Sequence, residues 1–535
     1  MDLLQASPSL IALTCAATVY VLALVFHRLF LSPTSSFPGP PLAAVTFWYE
    51  FYYDVICCGR YTWKIQKLHQ QYGPVVRINP HELHISDPSF YESVYVASSR
   101  RTDKWHFSAR MFGTSLATVG TTGHDLHRLR RSALSNFFSK RSISQLEPNI
   151  QRMVDHACRL LKDRGLGGEK LNLKDCFAAF SADLIGEVAF GSSYGLLDRA
   201  GFEPGWQKLM MDLSRATHLM KQFPWVYSIF NSIPPFLVAL VHPLTKRLLD
   251  IRCEIHTKIE QTKAAMRNGG LNTTASTLKT GGVHHSTILH SMIASSSLPD
   301  HELETGRLID EAFTLLGAGT ITTAHTLTTI MYYILSDSSR KSRLEIELSN
   351  LSEMLEKPNL KTLEHAPYLS AVILEGLRLS FGVSHRLPRV SPDTALQYDG
   401  IFDGIFYNYM IPPGVPVSMT QMFIHLDPGL YPQPNTFDPD RWIESESMTQ
   451  EKRQDLKKRK HYLVPFSKGT RMCAGMHLAY AELYLMLGTL FSPDGVGREM
   501  RLFETGVEDV RCVHDFFNPS PRLDSKGVRV VLDKQ

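Results

Sequence analysis

The chain has 535 residues, 44% of them hydrophobic and 20% charged, which is enough apolar material for a sizeable core and rules out wholesale disorder. Lysine and arginine number 56 against 52 aspartates and glutamates, and the net charge of +4 is too small a surplus to make nucleic acid the main partner. The eight cysteines form no CxxC pair, so neither a zinc ribbon nor a disulfide framework is expected, and a reducing compartment fits the bulk of the chain.

The first predicted element is apolar. SLIALTCAATVYVLALVFHRLFL, residues 9 to 31, keeps Leu10 to Phe26 free of charge before His27 and Arg28 arrive. That is about the length a bilayer demands, and the positive residues that follow place the rest of the chain on the cytosolic side. A cleaved signal peptide is the competing reading, but no basic n-region precedes the run and no A-x-A site follows it. Residues 1–31 are therefore expected to be a membrane anchor and residues 32–44, with Pro33, Pro38, Gly39, Pro40 and Pro41, a stiff connector. Residues 45–535 are expected to form one body, mainly α with a small β portion. Alternation in PVVRINPHELHISD, residues 74–87, predicts a hairpin, and helical periodicity dominates from about 124 to 390. Residues 268–286 interrupt it with a polar stretch whose His284 and His285 read as solvated rather than as metal ligands. Beyond residue 390, short strands, turns and a final helix are expected to close the chain.

Several segments carry chemistry. GHDLHRLRRSALSNFF, residues 123–138, packs His127, Arg128, Arg130 and Arg131 into five positions, which alone would suggest a solvated basic face. DEAFTLLGAGTITTAHTLTTIMYYIL, residues 310–335, predicts a long helix thinned at Gly317 and Gly319. Hydroxyls at Thr320, Thr322 and Thr323 can bond back to the i−4 carbonyl and open it locally, although a small-residue packing stripe reads similarly. In YLSAVILEGLRLS, residues 368–380, Glu375 and Arg378 lie three apart on one helical face among apolar neighbours, which predicts a buried pair. Breaking such a pair costs about 3–5 kcal/mol. The repeated IFDGIF in residues 398–414 reads either as an extended hairpin or as retained intronic sequence. KRQDLKKRKHY, residues 452–462, is a basic run.

VPFSKGTRMCAG, residues 464–475, is the most specific stretch. Cys473 sits where a helix is predicted to begin, so unsatisfied N–H groups and the dipole favour thiolate over thiol. Gly469 and Gly475 let the backbone turn tightly against a flat group, Arg471 can pair with an acid on it, and Phe466 can shield the sulfur. A lone cysteine ligand, an arginine for a carboxylate and glycines for clearance describe a haem-thiolate site. A buried structural cysteine leaves the arginine and glycine spacing unexplained.

FxxGxRxCxG, with ExxR and FDPDRW upstream, resembles the cytochrome P450 family over nearly the whole chain, and is most similar to fungal microsomal members of the trichodiene oxygenase group. The resemblance implies a triangular helical prism around haem b, preceded by one transmembrane helix. It implies insertion of one atom of O2 into an apolar small molecule of secondary metabolism, with terpenoids favoured over polyketide and alkaloid scaffolds. Cys473 becomes the axial iron ligand, with Phe466 and Gly475 beside the cofactor. Arg131, Arg389 and Arg471 become propionate partners, with Arg386 a lesser candidate, and His127 stands where the family has tryptophan. Glu375, Arg378 and Arg441 take the structural ExxR role. Thr322 and Gly319 match the oxygen-activation motif AGx(D/E)T, but Ile321 occupies its acid position, and His325 one turn on is either a relay or a neutral helix histidine. Electrons are implied to come from NADPH through a flavoprotein reductase, with cytochrome b5 as a second donor and the basic run 452–462 steering an acidic partner. The implied location is the endoplasmic reticulum membrane. By position, the cavity draws on residues 103–123, 206–240 and the surroundings of Val383 and Phe516. Two other readings stay open: an isomerase or dehydratase that needs no reductase, kept alive by Ile321, and a catalytically poor haem-binding protein.

Overall fold

The computed structural model describes residues 8–97, 100–226, 229, 243–267, 277–280, 283–295, 297–355 and 358–533. Helix α1, Pro8–Phe26, runs on through a π-turn at His27–Leu31. Together Ser9–Leu31 form a helix of 23 residues with mean hydropathy 2.3 and none of its window buried, long and apolar enough to cross a membrane. Its hydroxyls are satisfied internally, Thr14 on the Leu10 carbonyl and Thr18 on the Thr14 carbonyl, as a lipid-facing helix requires. The end of the helix is fastened to the body. Arg28 donates to the Val45 carbonyl, and Arg77 donates to the Arg28 carbonyl at 2.8 Å.

The predicted hairpin is present as strands Val75–Arg77 and Leu83–Ile85. It is one edge of a five-stranded sheet. Pro416–Ser418 runs parallel to Leu83–Ile85, and Arg389–Val390 and Asp103–Lys104 complete the order. The register sets Lys104 opposite Arg389, which matters below.

Helices build the rest: α2, His124–Ser135; α3, Glu147–Leu166; α4, Leu173–Phe190; α5, Pro204–Gln222; α6, Thr305–Leu335; α7, Pro367–Ser380; α8, Gln450–Tyr462; and α9, Met476–Leu490. Helix α4 is apolar nearly all round and buried nearly all round, as a central helix must be. Helix α6 packs against it and against α7 at small residues. A Cβ on Gly376 would lie 2.1 Å from an Ile330 carbon, and one on Gly319 3.1 Å from an Ile185 carbon. Apolar side chains of α3, α4, α6, α7 and α9 share one core cluster.

The odd segment 398–414 folds as a clean antiparallel hairpin, Leu396–Phe402 against Ile405–Ile411. Its two-residue turn has Asp403 at φ 49° and Gly404 at φ 78°, the left-handed pair that Asp-Gly serves in hairpins. The repeated IFDGIF thereby becomes a palindromic pairing, Ile401 opposite Phe406 and Phe402 opposite Ile405. Part of the polar stretch forms a second hairpin, Thr277–Thr280 with Val283–Ser286; the side chains of His284 and His285 lie outside the described residues, as do residues 230–240 of the expected cavity wall. One expectation is corrected: the chain closes on a strand, Arg529–Leu532, paired with Met500–Leu502 and Leu171–Asn172, because alternation buries Val530 and Leu532 on one face.

Candidate functional site

The loop before α9 is held from three sides. The Cys473 N–H donates to the Phe466 carbonyl at 2.9 Å and the Met472 N–H to the Gly469 carbonyl at 3.2 Å. Gly469 has φ 78°, and a Cβ there would lie 2.2 Å from the Val96 carbonyl oxygen, so only glycine lets the loop press on that backbone. The Phe466 ring leans on Tyr480 of α9, with centroids 5.3 Å apart. Cys473 itself remains accessible amid this packing. Its electrostatics differ from the sequence expectation. Although its surface is open, the protein atoms packed around the sulfur desolvate it and push the thiol pKa up, while the Gly475 N–H and Arg131 act the other way. Helix α9 starts three residues later, too far for its N–H groups to dominate. The surrounding protein alone therefore favours the thiol, and a thiolate at this position requires a cation on the sulfur.

Above the loop, cations converge without counter-ions. Lys104 and Arg389 face each other across the sheet edge, His127 and Arg131 come from α2, and Arg471 from the cysteine loop. Among the described residues, none of the Lys104, Arg131, Arg389 and Arg471 side chains pairs with a carboxylate within 4.0 Å. Backbone carbonyls take their protons instead. Arg471 donates to Thr121, Thr122 and Gly123 at 2.7, 2.6 and 3.3 Å, Lys104 to Val119 at 2.7 Å and Arg389 to Pro388 at 3.1 Å. Burial lowers the pKa of each of them, and repulsion from neighbouring cations adds to it for Lys104, Arg471 and His127, whereas Glu311 draws Arg131 back and Asp103 draws Arg471 back. Lys104 is driven well below its usual value, Arg471 falls to about 9 with Arg389 the next cause, and His127 falls to about 3, with Arg471, Arg131, Arg389 and Lys104 each contributing after burial. Buried cations of one sign persist only beside an anion, so a flat ligand with carboxylates on one edge and a metal over Cys473 fits this donor set. Lys104 has no motif; its membership follows from sheet register, which no local spacing encodes.

Two expected neighbours are engaged elsewhere. Arg386 donates to Glu82 at 3.0 Å and to Glu50 at 2.7 Å and does not join the cluster. Of the four basic residues on α2, Arg130 forms a buried two-point pair with Glu302 at 2.7 and 2.9 Å while Arg128 is exposed, so the run is not a uniform solvated face.

On α6, the Thr322 hydroxyl donates to the Ala318 carbonyl at 2.8 Å. Ala318 is exposed between buried Leu316 and Thr320, and a Cβ on Gly317 would meet nothing within 4 Å, so the helix presents an open face at this turn. Ile321 packs against the core and offers no acid. His325 is half-buried and held neutral, its pKa lowered to about 3 chiefly by loss of hydration, which makes it a poor proton donor. Opposite, the Phe112 and Phe517 rings meet edge to face at 4.6 Å.

The ExxR expectation appears as a fully buried network. Arg378 holds Glu375 at 2.9 and 2.7 Å, and Glu375 also receives Arg441 at 3.2 Å, the Trp442 indole at 2.9 Å and the Asp438 N–H at 2.9 Å. His425 extends it: its Nδ1 meets the Arg378 carbonyl at 3.1 Å and its Nε2 accepts from the Val464 N–H at 2.9 Å. The network thus reaches the first residue of the cysteine loop through a histidine that no motif flagged.

A second buried cluster stands apart. His218, His385 and Asp515 place ligand atoms within 4.8 Å of one another, close enough for a metal ion. Lys221 already supplies the cation there, with Glu50 at 2.6 Å, Asp54 at 3.1 Å and His385 Nε2 at 3.5 Å from its ammonium.

Comparison with known proteins gives a match between residues 38–493 and the family model described as Cytochrome P450. A tryptophan 6-hydroxylase of Fusarium equiseti is 40% identical over 97% of this chain and 96% of its own. An N-acetyltryptophan 6-hydroxylase of Emericella nidulans is 39% identical over 100% of this chain and 99% of its own. A fusicoccadiene C-8 hydroxylase of Alternaria brassicicola is 36% identical over 98% of this chain and 96% of its own.

Proposed function

Because the chain belongs to the cytochrome P450 family, we propose that it hydroxylates a small molecule with a large apolar face, of terpenoid or indole class, using haem b held over Cys473. The observation that carries this is the set of buried and half-buried cations, without a carboxylate partner within 4.0 Å among the described residues, on elements around one accessible cysteine. Cys473 is the axial ligand, and Arg131, Arg389, Arg471 and Lys104 hold the carboxylates. Haem, when bound, supplies oxygen activation; the chain supplies position and protons. Thr322 offers its hydroxyl at the turn of α6 where Ala318 is exposed and Gly317 leaves open space. The Glu375–Arg378–Arg441 network, through His425, fixes where the cysteine loop begins. Phe112 and Phe517 offer an apolar wall, and Phe466 with Tyr480 keeps water from the sulfur side.

Residues 1–31 are the anchor, 32–44 the connector and 45–535 the catalytic domain, facing the cytosol from the endoplasmic reticulum membrane. Electrons come from NADPH through a flavoprotein reductase, with cytochrome b5 as a second donor. Helix α8 carries the basic run on an exposed surface suited to an acidic partner. The relatives divide between an indole amino acid and a terpene hydrocarbon, and the apolar ring pair supports a terpenoid here.

The test is the reduced spectrum under carbon monoxide for wild type and Cys473→Ala, followed by spectral titration with N-acetyltryptophan and with a diterpene hydrocarbon. A red-shifted Soret band lost in the variant supports the thiolate site, and its absence from wild type refutes it. The ligand that perturbs the band decides the substrate class.

A further inference from the structure

One short segment beyond the connector wears its amphipathicity inside out. A helix at Trp48–Phe51 runs on through a second π-turn at Tyr52–Ile56, closed by the Cys57 N–H on the Tyr52 carbonyl at 2.8 Å. Its acids point inward: Glu50 and Asp54 are buried and meet the Lys221 ammonium at 2.6 and 3.1 Å. Its large apolar side chains point outward at a spacing of four, with Trp48 61%, Tyr52 52% and Ile56 61% exposed. A helix facing water is made the other way round, so this stripe is built for an apolar medium.

The anchor identifies that medium. Arg28, in the last turn of the membrane-spanning helix, reaches the Val45 carbonyl, three residues before Trp48. The stripe therefore begins beside the end of the anchor, where the chain leaves the bilayer. Trp48 also meets Phe223 at 5.9 Å, and Phe223 meets the exposed Trp225 at 6.0 Å, which widens the aromatic face. Tryptophan and tyrosine are the side chains that settle at the level of lipid headgroups.

Two thiols close the stripe. A π-turn bonds each residue to the fifth one on, which brings Cys57 beside Tyr52, and the Tyr52 hydroxyl meets the Cys57 thiol. Cys57 and its neighbour Cys58 are both free and only half-buried. Cys58 then takes φ 54° and Gly59 φ 69°, and a Cβ on Gly59 would lie 2.2 Å from the Asp515 carbonyl oxygen. The chain turns in sharply there, so the thiols stand where it departs from the apolar face. A vicinal thiol pair beside a lipid-facing helix is the substrate that S-acylation requires.

We propose that Cys57 and Cys58 are a site of reversible S-acylation, taking a long-chain fatty acyl group from its coenzyme A thioester through a membrane-bound acyltransferase. The step balances without electron transfer. The cysteine S–H bond and the acyl–sulfur bond of the donor break, a thioester forms on the cysteine sulfur, and coenzyme A leaves as its thiol. The acyl chain enters the bilayer alongside Trp48, Tyr52 and Ile56. One such chain alone holds a protein only marginally, so the anchor delivers the thiols and the acyl group adds a second, removable hold. That hold acts near the cavity, because the Asp515 N–H donates to the Gly59 carbonyl at 2.8 Å and ties the segment to the strand leading to Phe517. The proposal rests on the membrane anchoring proposed above.

The test uses full-length protein made in a filamentous fungus fed an alkyne-tagged palmitate. Microsomal protein is probed for label before and after neutral hydroxylamine, which cleaves thioesters and spares amides. Wild type should carry label that hydroxylamine removes, and its tryptic peptide ending at Arg60 should carry the acyl mass. The double variant Cys57→Ser, Cys58→Ser should lose the label and keep the carbon monoxide band, whereas Cys253→Ser should lose none. Unlabelled wild type, label that resists hydroxylamine, or label that survives in the double variant overturns the proposal. The peptide mass is read on wild type alone, so it decides the matter even where the double variant fails to assemble. Wild type that does not float with membranes refutes the anchoring instead, and that outcome is distinct from a chain that floats unlabelled.

Discussion

At the scale of single residues, the cation cluster makes a prediction that separates charge from packing. Lys104→Met keeps the stem and removes an ammonium that has no carboxylate partner among the described residues. Without ligand the variant should be no less stable than wild type, because the burial penalty on Lys104 is gone; with haem it should release the cofactor faster. Thermal melts of apo and haem-loaded protein check both halves. Glu482, buried on α9 beside the Ser181 and Thr323 hydroxyls, gives a second prediction. Burial raises its folded pKa from the ordinary 4.5 to about 8, so between about pH 4.5 and 8 the folded state holds a proton that the unfolded state has lost. Stability must fall as pH rises through that window, by at most about 1.4 kcal/mol per pH unit, and Glu482→Gln should abolish that slope in denaturant titrations. Glu375 and Arg378 were legible because each is the other's partner three residues away; Cys473 and Arg471 were singled out by spacing alone, and Arg471 finds its acceptors on the distant Thr121, Thr122 and Gly123. Lys104, His425 and Glu482 were not legible, since each gains its meaning from a side chain on a separate element.

At the scale of elements, the hairpin turn and the end of α5 can be tested by substitution. Gly404 has φ 78° with open space around it, so Gly404→Ala should cost about 1 kcal/mol through the backbone alone, without a clash. A much larger loss in the melt would mean that the hairpin is pinned by something other than its turn. Lys221 holds buried Glu50 and Asp54 from α5, and replacing it with methionine strips Asp54 of its ammonium and leaves Glu50 with Arg386 as its remaining cation. A loss of about 3–5 kcal/mol is expected in urea unfolding. The helices α6, α7 and α9 were readable from long apolar stretches of helical composition, although α9 is buried on every side from Ala481 to Gly488. The five-stranded sheet was only half readable: its strands at 389–390 and 103–104 are too short to show alternation, and tertiary pairing alone defines them.

At the scale of the whole molecule, the sequence predicted an apolar helix of membrane-spanning length followed by a mainly helical body, both of which are present, and it left open how the first is joined to the second. The exposed helix Ser9–Leu31 contributes nothing to the core. Removing residues 1–31 should release the protein from membranes in flotation assays while leaving the carbon monoxide spectrum unchanged.

The junction has a mechanical consequence. Arg28 reaching Val45, and Arg77 reaching back to Arg28, make the anchor and the sheet one stiff lever rather than a body on a leash. A membrane-spanning helix tilts to match the thickness of its bilayer, shallowly in thick membranes and steeply in thin ones. Under the proposed anchoring, that lever would pass the tilt on to the body, and the lipid composition of the membrane would then set the angle at which the basic helix α8 meets the proposed electron donor.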